Sequence, residues 1–276
     1  MRVVSSIIPT HRVQEGGGFW VRRPVAMGSL MSPFLLLDEM GPNVTKPGEA
    51  IGAPWHPHRG FETVTYLLDG RMQHEDSAGN KGELGPGDVQ WMTAGKGIIH
   101  SEEPHDEFQK TGGRMHGFQI WVNLPAKDKM MPPRYQEIPA EESPTIERDG
   151  VWARVVAGEC LGLESSINTM IPIEYIHVKM DEGSKLEKRI NSTLNAMIYV
   201  FGGEIRLQDK VVRDGELALL SEGENISILS KQSSEFLILA GPELNEPIAR
   251  YGPFVMNTKE EIQQAYLDYQ NGNFAN

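Results

Sequence analysis

Trp55-His56-Pro57-His58-Arg59-Gly60-Phe61-Glu62, answered about forty residues later by His100-Ser101-Glu102, is the part of the chain from which the rest can be read. In an extended strand, side chains at i and i+2 share a face and stand roughly 6.6 Å apart. His56 and His58 therefore turn both imidazoles to one side, and His100 with Glu102 repeats the spacing. Two such strands laid side by side offer three neutral nitrogens and one anionic oxygen. That donor set suits iron, manganese, cobalt, nickel, copper or zinc. A lone His-x-His is more often a polar pair on a solvated face; the second pair is what argues for an interior and an ion.

Working outward, short β-rich runs alternate with turn signals. Thr63 to Leu68 is followed by Asp69-Gly70, a hairpin signal, and then by Arg71 to Glu75. Gly85-Pro86-Gly87-Asp88 precedes a strand at Val89 to Met92, Ala94-Gly95-Lys96-Gly97 precedes Ile98 to Glu102, and Met115 to Leu124 closes the series. Many short strands with almost no helical periodicity predict an antiparallel barrel or jelly roll. Upstream, Gly16-Gly17-Gly18 lacks the Lys-Ser or Lys-Thr of a phosphate loop and reads as a turn, and Pro33-Phe34-Leu35-Leu36-Leu37-Asp38-Glu39 reads as a buried strand. Residues 136–150 are proline- and glutamate-rich and read as a linker.

Beyond residue 150 the rhythm repeats. Tyr66-Leu67-Leu68-Asp69-Gly70 aligns with Tyr199-Val200-Phe201-Gly202-Gly203 at an offset of 133, and Gly87-Asp88 aligns with Gly215-Glu216 at an offset of 128. A tandem duplication follows, with the second copy shortened by five residues in one hairpin. The division expected is 1–135, a metal-binding barrel; 136–150, a linker; and 151–276, a metal-free barrel with a terminal helix. The first offset carries His56 and His58 onto Arg189 and Asn191, and the His100 position falls near Ile226 to Ile228, so the second copy is expected to lack the site. The helix is signalled by a Thr258 and Glu261 capping box, with Ile262, Ala265, Tyr266 and Tyr269 on one stripe and Gly272 at its end. His74, His105, His116 and His177 show no metal spacing and are expected at the surface or hydrogen-bonded, while Arg59 is expected as a solvated charge or an acid's partner.

Composition limits what such a site can serve. A net charge of −12, with no long Lys/Arg run, disfavours direct nucleic-acid binding. The single cysteine, Cys160, allows no intrachain disulfide, and no stretch of about 18 apolar residues occurs. No signal-peptide pattern opens the chain. A soluble cytoplasmic protein without membrane contact is expected, with the nucleus open if the source is a eukaryote.

The run from His56 to Gly70, with the Gly87-Asp88 strand and His100, resembles the two cupin motifs, and the closer resemblance is to the pirin family. Its blocks stand here as Pro33 to Glu39, His56 to Thr63, Gln90-Trp91-Met92-Thr93-Ala94-Gly95 and Gly252-Pro253-Phe254-Val255-Met256-Asn257-Thr258. The resemblance spans nearly the whole chain. It implies an all-β fold of two tandem cupin (jelly-roll) barrels with a short C-terminal helix, and one divalent iron in the first barrel held by His56, His58, His100 and Glu102. Most cupins take their carboxylate from the first motif, here Glu62; strand parity allows either, and the pirin resemblance favours Glu102. It further implies flavonol 2,3-dioxygenase activity on an aromatic small molecule and O2, with quercetin as test substrate; Glu102, the only anionic group among these ligands, is then expected to be the catalytic base that takes the hydroxyl proton. The other implied role is that of a transcriptional co-regulator or redox sensor acting through a protein partner.

Overall fold

The computed structural model describes residues 1–24 and 31–275. The fold is all-β, with two α-helices among the described residues, Asp106–Thr111 and Lys259–Gln270. The shorter helix had no sequence signal; it begins where the His105 ring accepts a hydrogen bond from the Glu107 amide.

The chain forms two compact units, one made of residues 12–23, 35–140 and 244–276 and the other of residues 1–11, 24–34 and 141–243. In the first, Val89–Thr93, Phe61–Asp69, Gly113–Asn123 and Phe34–Thr45 lie in that order in one sheet, and a second sheet runs Ala53–His58, Ile98–Pro104, Met72–Asp76, Lys81–Leu84. Apolar side chains from both sheets meet between them, as in the clusters of Leu67 with Met72 and Leu84 and of Met92 with Ile98. The other unit repeats the order strand for strand. Glu216–Leu220, Leu194–Gly202, Ser234–Pro242 and Glu174–Met180 form one sheet, and Lys185–Arg189, Asn225–Ser230, Glu204–Leu207 and Lys210–Arg213 the other. Such an order is the mark of a duplicated jelly roll.

The units cut across the division expected from the sequence. Val4 to Pro9 runs antiparallel to Glu216–Leu220 and completes the sheet edge of the later barrel, which removes a row of unpaired backbone groups. The expected linker carries strands at both ends: Arg134–Ile138 pairs with Val89–Thr93, and Thr145–Arg148 pairs with Val151–Ala157. The terminal helix, expected with the second copy, belongs to the first unit, where Ala265 is buried with Phe254 and Phe274 and packed by Ile262 and Ile99. Its capping box forms as read. Tyr266 and Tyr269, placed on the same stripe, remain 46% and 39% exposed, so the buried face is narrower than the spacing implied.

Asp69-Gly70 is not a hairpin. Phe61–Asp69 pairs with Val89–Thr93 and Gly113–Asn123, whereas Met72–Asp76 pairs with Lys81–Leu84 and Ile98–Pro104. The turn, with Gly70 at φ 97°, carries the chain from one sheet to the other. Leu67 and Met72 thereby reach the same core from opposite sides.

Candidate metal centre

His56 and His58 lie on Ala53–His58, and His100 lies on the antiparallel neighbour Ile98–Pro104, with His56 directly opposite His100. The three rings meet at centroid distances of 4.7, 4.5 and 5.1 Å. One nitrogen from each falls within 4.8 Å of the other two. His58 and His100 are buried and His56 is half-buried.

Glu102 stands at the edge of this group, its Oε2 4.0 Å from His100 Nε2. Two neutral donors hold it: Thr65 Oγ1 reaches Oε1 at 2.9 Å and Gln119 Nε2 reaches Oε2 at 3.1 Å. Thr65 and Gln119 are cross-strand partners, and neither is announced by a motif. Their shared interior face becomes visible only once the register is known.

Glu62 lies elsewhere. The strand bearing His56 and His58 ends at His58, Gly60 adopts φ 90°, and a new strand starts at Phe61. This break cancels the parity that would have put Glu62 beside the histidines. Phe61 takes the inward place, its ring 5.1 Å from His58. Glu62 accepts a 2.6 Å hydrogen bond from Thr93 Oγ1, and burial, offset in part by that bond, raises its carboxyl above the usual range.

The histidine donors fit a bound cation. Burial pushes His58 well below its ordinary value, with His100 and His56 adding to the effect. It lowers His100 to about 4, although Glu102 pulls the other way. Both rings are therefore neutral at pH 7, with lone pairs available. Neither ring nitrogen of His100, nor Nδ1 of His58, has a hydrogen-bond partner among the described residues. Buried unpartnered nitrogens are costly in a folded protein, and an ion that accepts one lone pair from each converging ring supplies a partner to these buried imidazoles. His56 is oriented by its Nδ1 lying 2.8 Å from the Pro54 carbonyl oxygen, the kind of outer contact that fixes a ligand's tautomer.

The remaining histidines named from the sequence are hydrogen-bonded. His74, His116 and His177 each bring Nε2 to a carboxylate, Glu137, Glu39 and Glu235, at 2.7, 2.9 and 2.9 Å, and His105 caps its helix. Arg59 is not a solvated charge. It is buried, pairs with Asp268 at 2.6 Å, and lies over the Phe274 ring at 4.4 Å.

Strand pairing also corrects the comparison of the two copies. His56 opposite His100 corresponds to Leu186 opposite Ile228, and His58 opposite Ile98 corresponds to Lys188 opposite Ile226. Lys188 lies eleven residues before Tyr199, whereas His58 lies eight before Tyr66, and this three-residue difference is why a single offset pointed to Arg189 and Asn191. Leu186, Ile226 and Ile228 belong to the apolar core of that barrel, and Lys188 is buried against Glu174 at 2.8 Å.

Two tandem jelly rolls, one gathering inward-facing histidines from neighbouring strands, define a bicupin. Residues 18–122 match the sequence model of the Pirin family, and residues 175–275 match that of the Pirin C-terminal cupin domain. The chain belongs to the pirin family. It is 44% identical to a pirin-like protein of Solanum lycopersicum, covering 98% of this chain and 92% of that one. It is 43% identical to the Pirin of Homo sapiens over 93% of this chain and 88% of the other. Among solved structures, a quercetin 2,3-dioxygenase from Acinetobacter baumannii superimposes with a TM-score of 0.95 at 38% identity, covering 99% of this chain and 98% of that one.

Proposed function

We propose that this chain is a metal-dependent dioxygenase of the pirin type, which opens the heterocycle of a flavonol such as quercetin with O2, and that its metal is iron(II) held by His56, His58, His100 and Glu102. The observation that carries the reading is the convergence of one nitrogen from each of three imidazoles, two of them buried with unpartnered nitrogens, beside one fixed carboxylate. The likeness to a structure described as a quercetin 2,3-dioxygenase supports the substrate class. When bound, such an ion with three imidazoles and one carboxylate keeps about two positions open and acidifies a hydroxyl that reaches it.

Glu102 is the base in this reading. Thr65 and Gln119 hold its two oxygens from the side of the sheet. A flavonol hydroxyl arriving beside His100 loses its proton to the carboxylate; the O–H bond breaks and the electron pair stays on the flavonolate oxygen. Half-buried Trp121, its ring 5.3 Å from that of His58 and backed by the buried Phe61 ring at 4.3 Å, gives the aromatic substrate an apolar face.

The test is oxygen uptake with quercetin by iron-loaded protein, by metal-stripped protein, and by Glu102→Gln at equal metal content. The variant keeps an oxygen donor and loses the base, so uptake is expected to fall by roughly a hundredfold or more. Wild-type uptake in the variant would remove Glu102 from the proton transfer. Equal uptake with and without metal would end the dioxygenase reading.

A further inference from the structure

Lys129 is a side chain that neither the sequence motifs nor the proposed chemistry uses, yet it is only 1% exposed. Its ammonium donates to three oxygens: Asn123 Oδ1 at 2.6 Å, the Gly60 carbonyl at 2.7 Å and the Val255 carbonyl at 3.0 Å. Burial lowers its pKa to about 8. An ammonium is costly to bury, so its place here calls for a role that a smaller apolar side chain would not fill.

What it fastens is next to the histidines. Gly60 belongs to the turn that ends the His56–His58 strand, and Val255 lies on the C-terminal strand Phe254–Met256. The Val255 amide donates to the Arg59 carbonyl at 3.1 Å. The Arg59 backbone also bridges Phe254 in parallel, so the C-terminal strand lies along the residue that follows His58. Further along, Arg59 is held by Asp268, by the Phe274 ring and by the Phe274 carbonyl at 3.3 Å. The last part of the chain is therefore fastened to the turn that follows His58, Phe254 lying against Arg59 some 195 residues earlier, and Lys129 bonds to both sides.

We infer that Lys129 is a positioning residue of the histidine site: by tying the Phe254–Met256 strand to Gly60 it fixes the turn from which the His56–His58 strand projects, so that metal binding and seating of residues 254–274 are thermodynamically linked. This rests on reading His56, His58 and His100 as metal ligands. Linkage is reciprocal, so it has two faces that do not depend on turnover.

The experiment is cobalt(II) titration together with hydrogen exchange, on full-length wild type, Lys129→Met and Phe274→Ala. In wild type, cobalt should slow exchange of the Phe254–Met256 amides. In Lys129→Met those amides should exchange faster, the cobalt Kd should rise by roughly tenfold to a hundredfold, and amides of Val151–Ala157 in the other unit should be unchanged. Phe274→Ala, which loosens the same segment without touching Lys129, should shift both readouts the same way and carries the test if Lys129→Met does not fold. Unchanged protection of Phe254–Met256 on cobalt binding to wild type, or a wild-type Kd in a folded Lys129→Met, would overturn the inference alone. Cobalt binding undiminished in His58→Ala would overturn the metal site itself, and the inference with it.

Discussion

At the scale of the residue, Gly60 decides which carboxylate accompanies the histidines. Its φ of 90° lies where a side chain is strained, and a Cβ there would meet the Val255 carbonyl oxygen at 2.0 Å. Gly60→Ala must therefore both strain the turn and push the C-terminal strand off Lys129. A loss of at least about 2 kcal/mol is expected, measured by urea unfolding; a change within about 0.5 kcal/mol would show that the turn relaxes freely. Glu62 and Glu102 illustrate the same point from the other side. Both are buried acids in motif positions, and what separates them is whether the partner is Thr93, away from the histidines, or Thr65 and Gln119 beside them.

At the scale of the element, the strand Glu174–Met180 shows how a β-sheet sorts its two faces. Ile176, Val178 and Met180 enter the barrel core, while His177, on the other face, is buried against Trp152 and Phe201 and bonded to Glu235. Burial lowers the His177 pKa from 6.5 to about 4, outweighing the hydrogen bond and charge of Glu235. The unfolded chain thus binds a proton near pH 6.5 that the folded chain refuses until about pH 4. Across that window the unfolded state holds more protons, so stability is full above it and falls as the pH drops through it, by on the order of 3 kcal/mol from this group. Urea unfolding between pH 7 and 4 should show a shallower decline for His177→Gln than for wild type. Parallel declines would mean that His177 takes up its proton equally well in both states.

At the scale of the whole molecule, duplication supplied two barrels and only one kept the donors. Leu186, Lys188, Ile228 and Ser230 occupy the places of His56, His58, His100 and Glu102. Elemental analysis of the metal-loaded protein is expected to find one tightly bound ion per chain, and two would contradict this reading. Replacing His56 and His58 by alanine should strip that ion while cooperative unfolding persists. The apolar core from Val151 to Ala240 contains no proposed ligand, so an unfolded double variant would show that the ion holds the fold together.

The sequence alone determined the class of fold and the histidines, because both are written locally. Alternation and turn residues define strands, and an i, i+2 pair on a strand defines a shared face. The Thr258 cap and the repeated Tyr66 and Tyr199 blocks are local in the same sense. Tertiary structure alone decided what depends on long-range register. It made Asp69-Gly70 a crossover between sheets, placed Val4 to Pro9 on the edge of the later barrel, and seated the C-terminal strand and helix against Arg59. Thr65 and Gln119 reach Glu102, and Lys129 reaches the Gly60 carbonyl, for the same reason. Each acts through a partner brought near by strand pairing or chain return, and a side chain's spacing along its own strand carries no record of which strand will lie opposite.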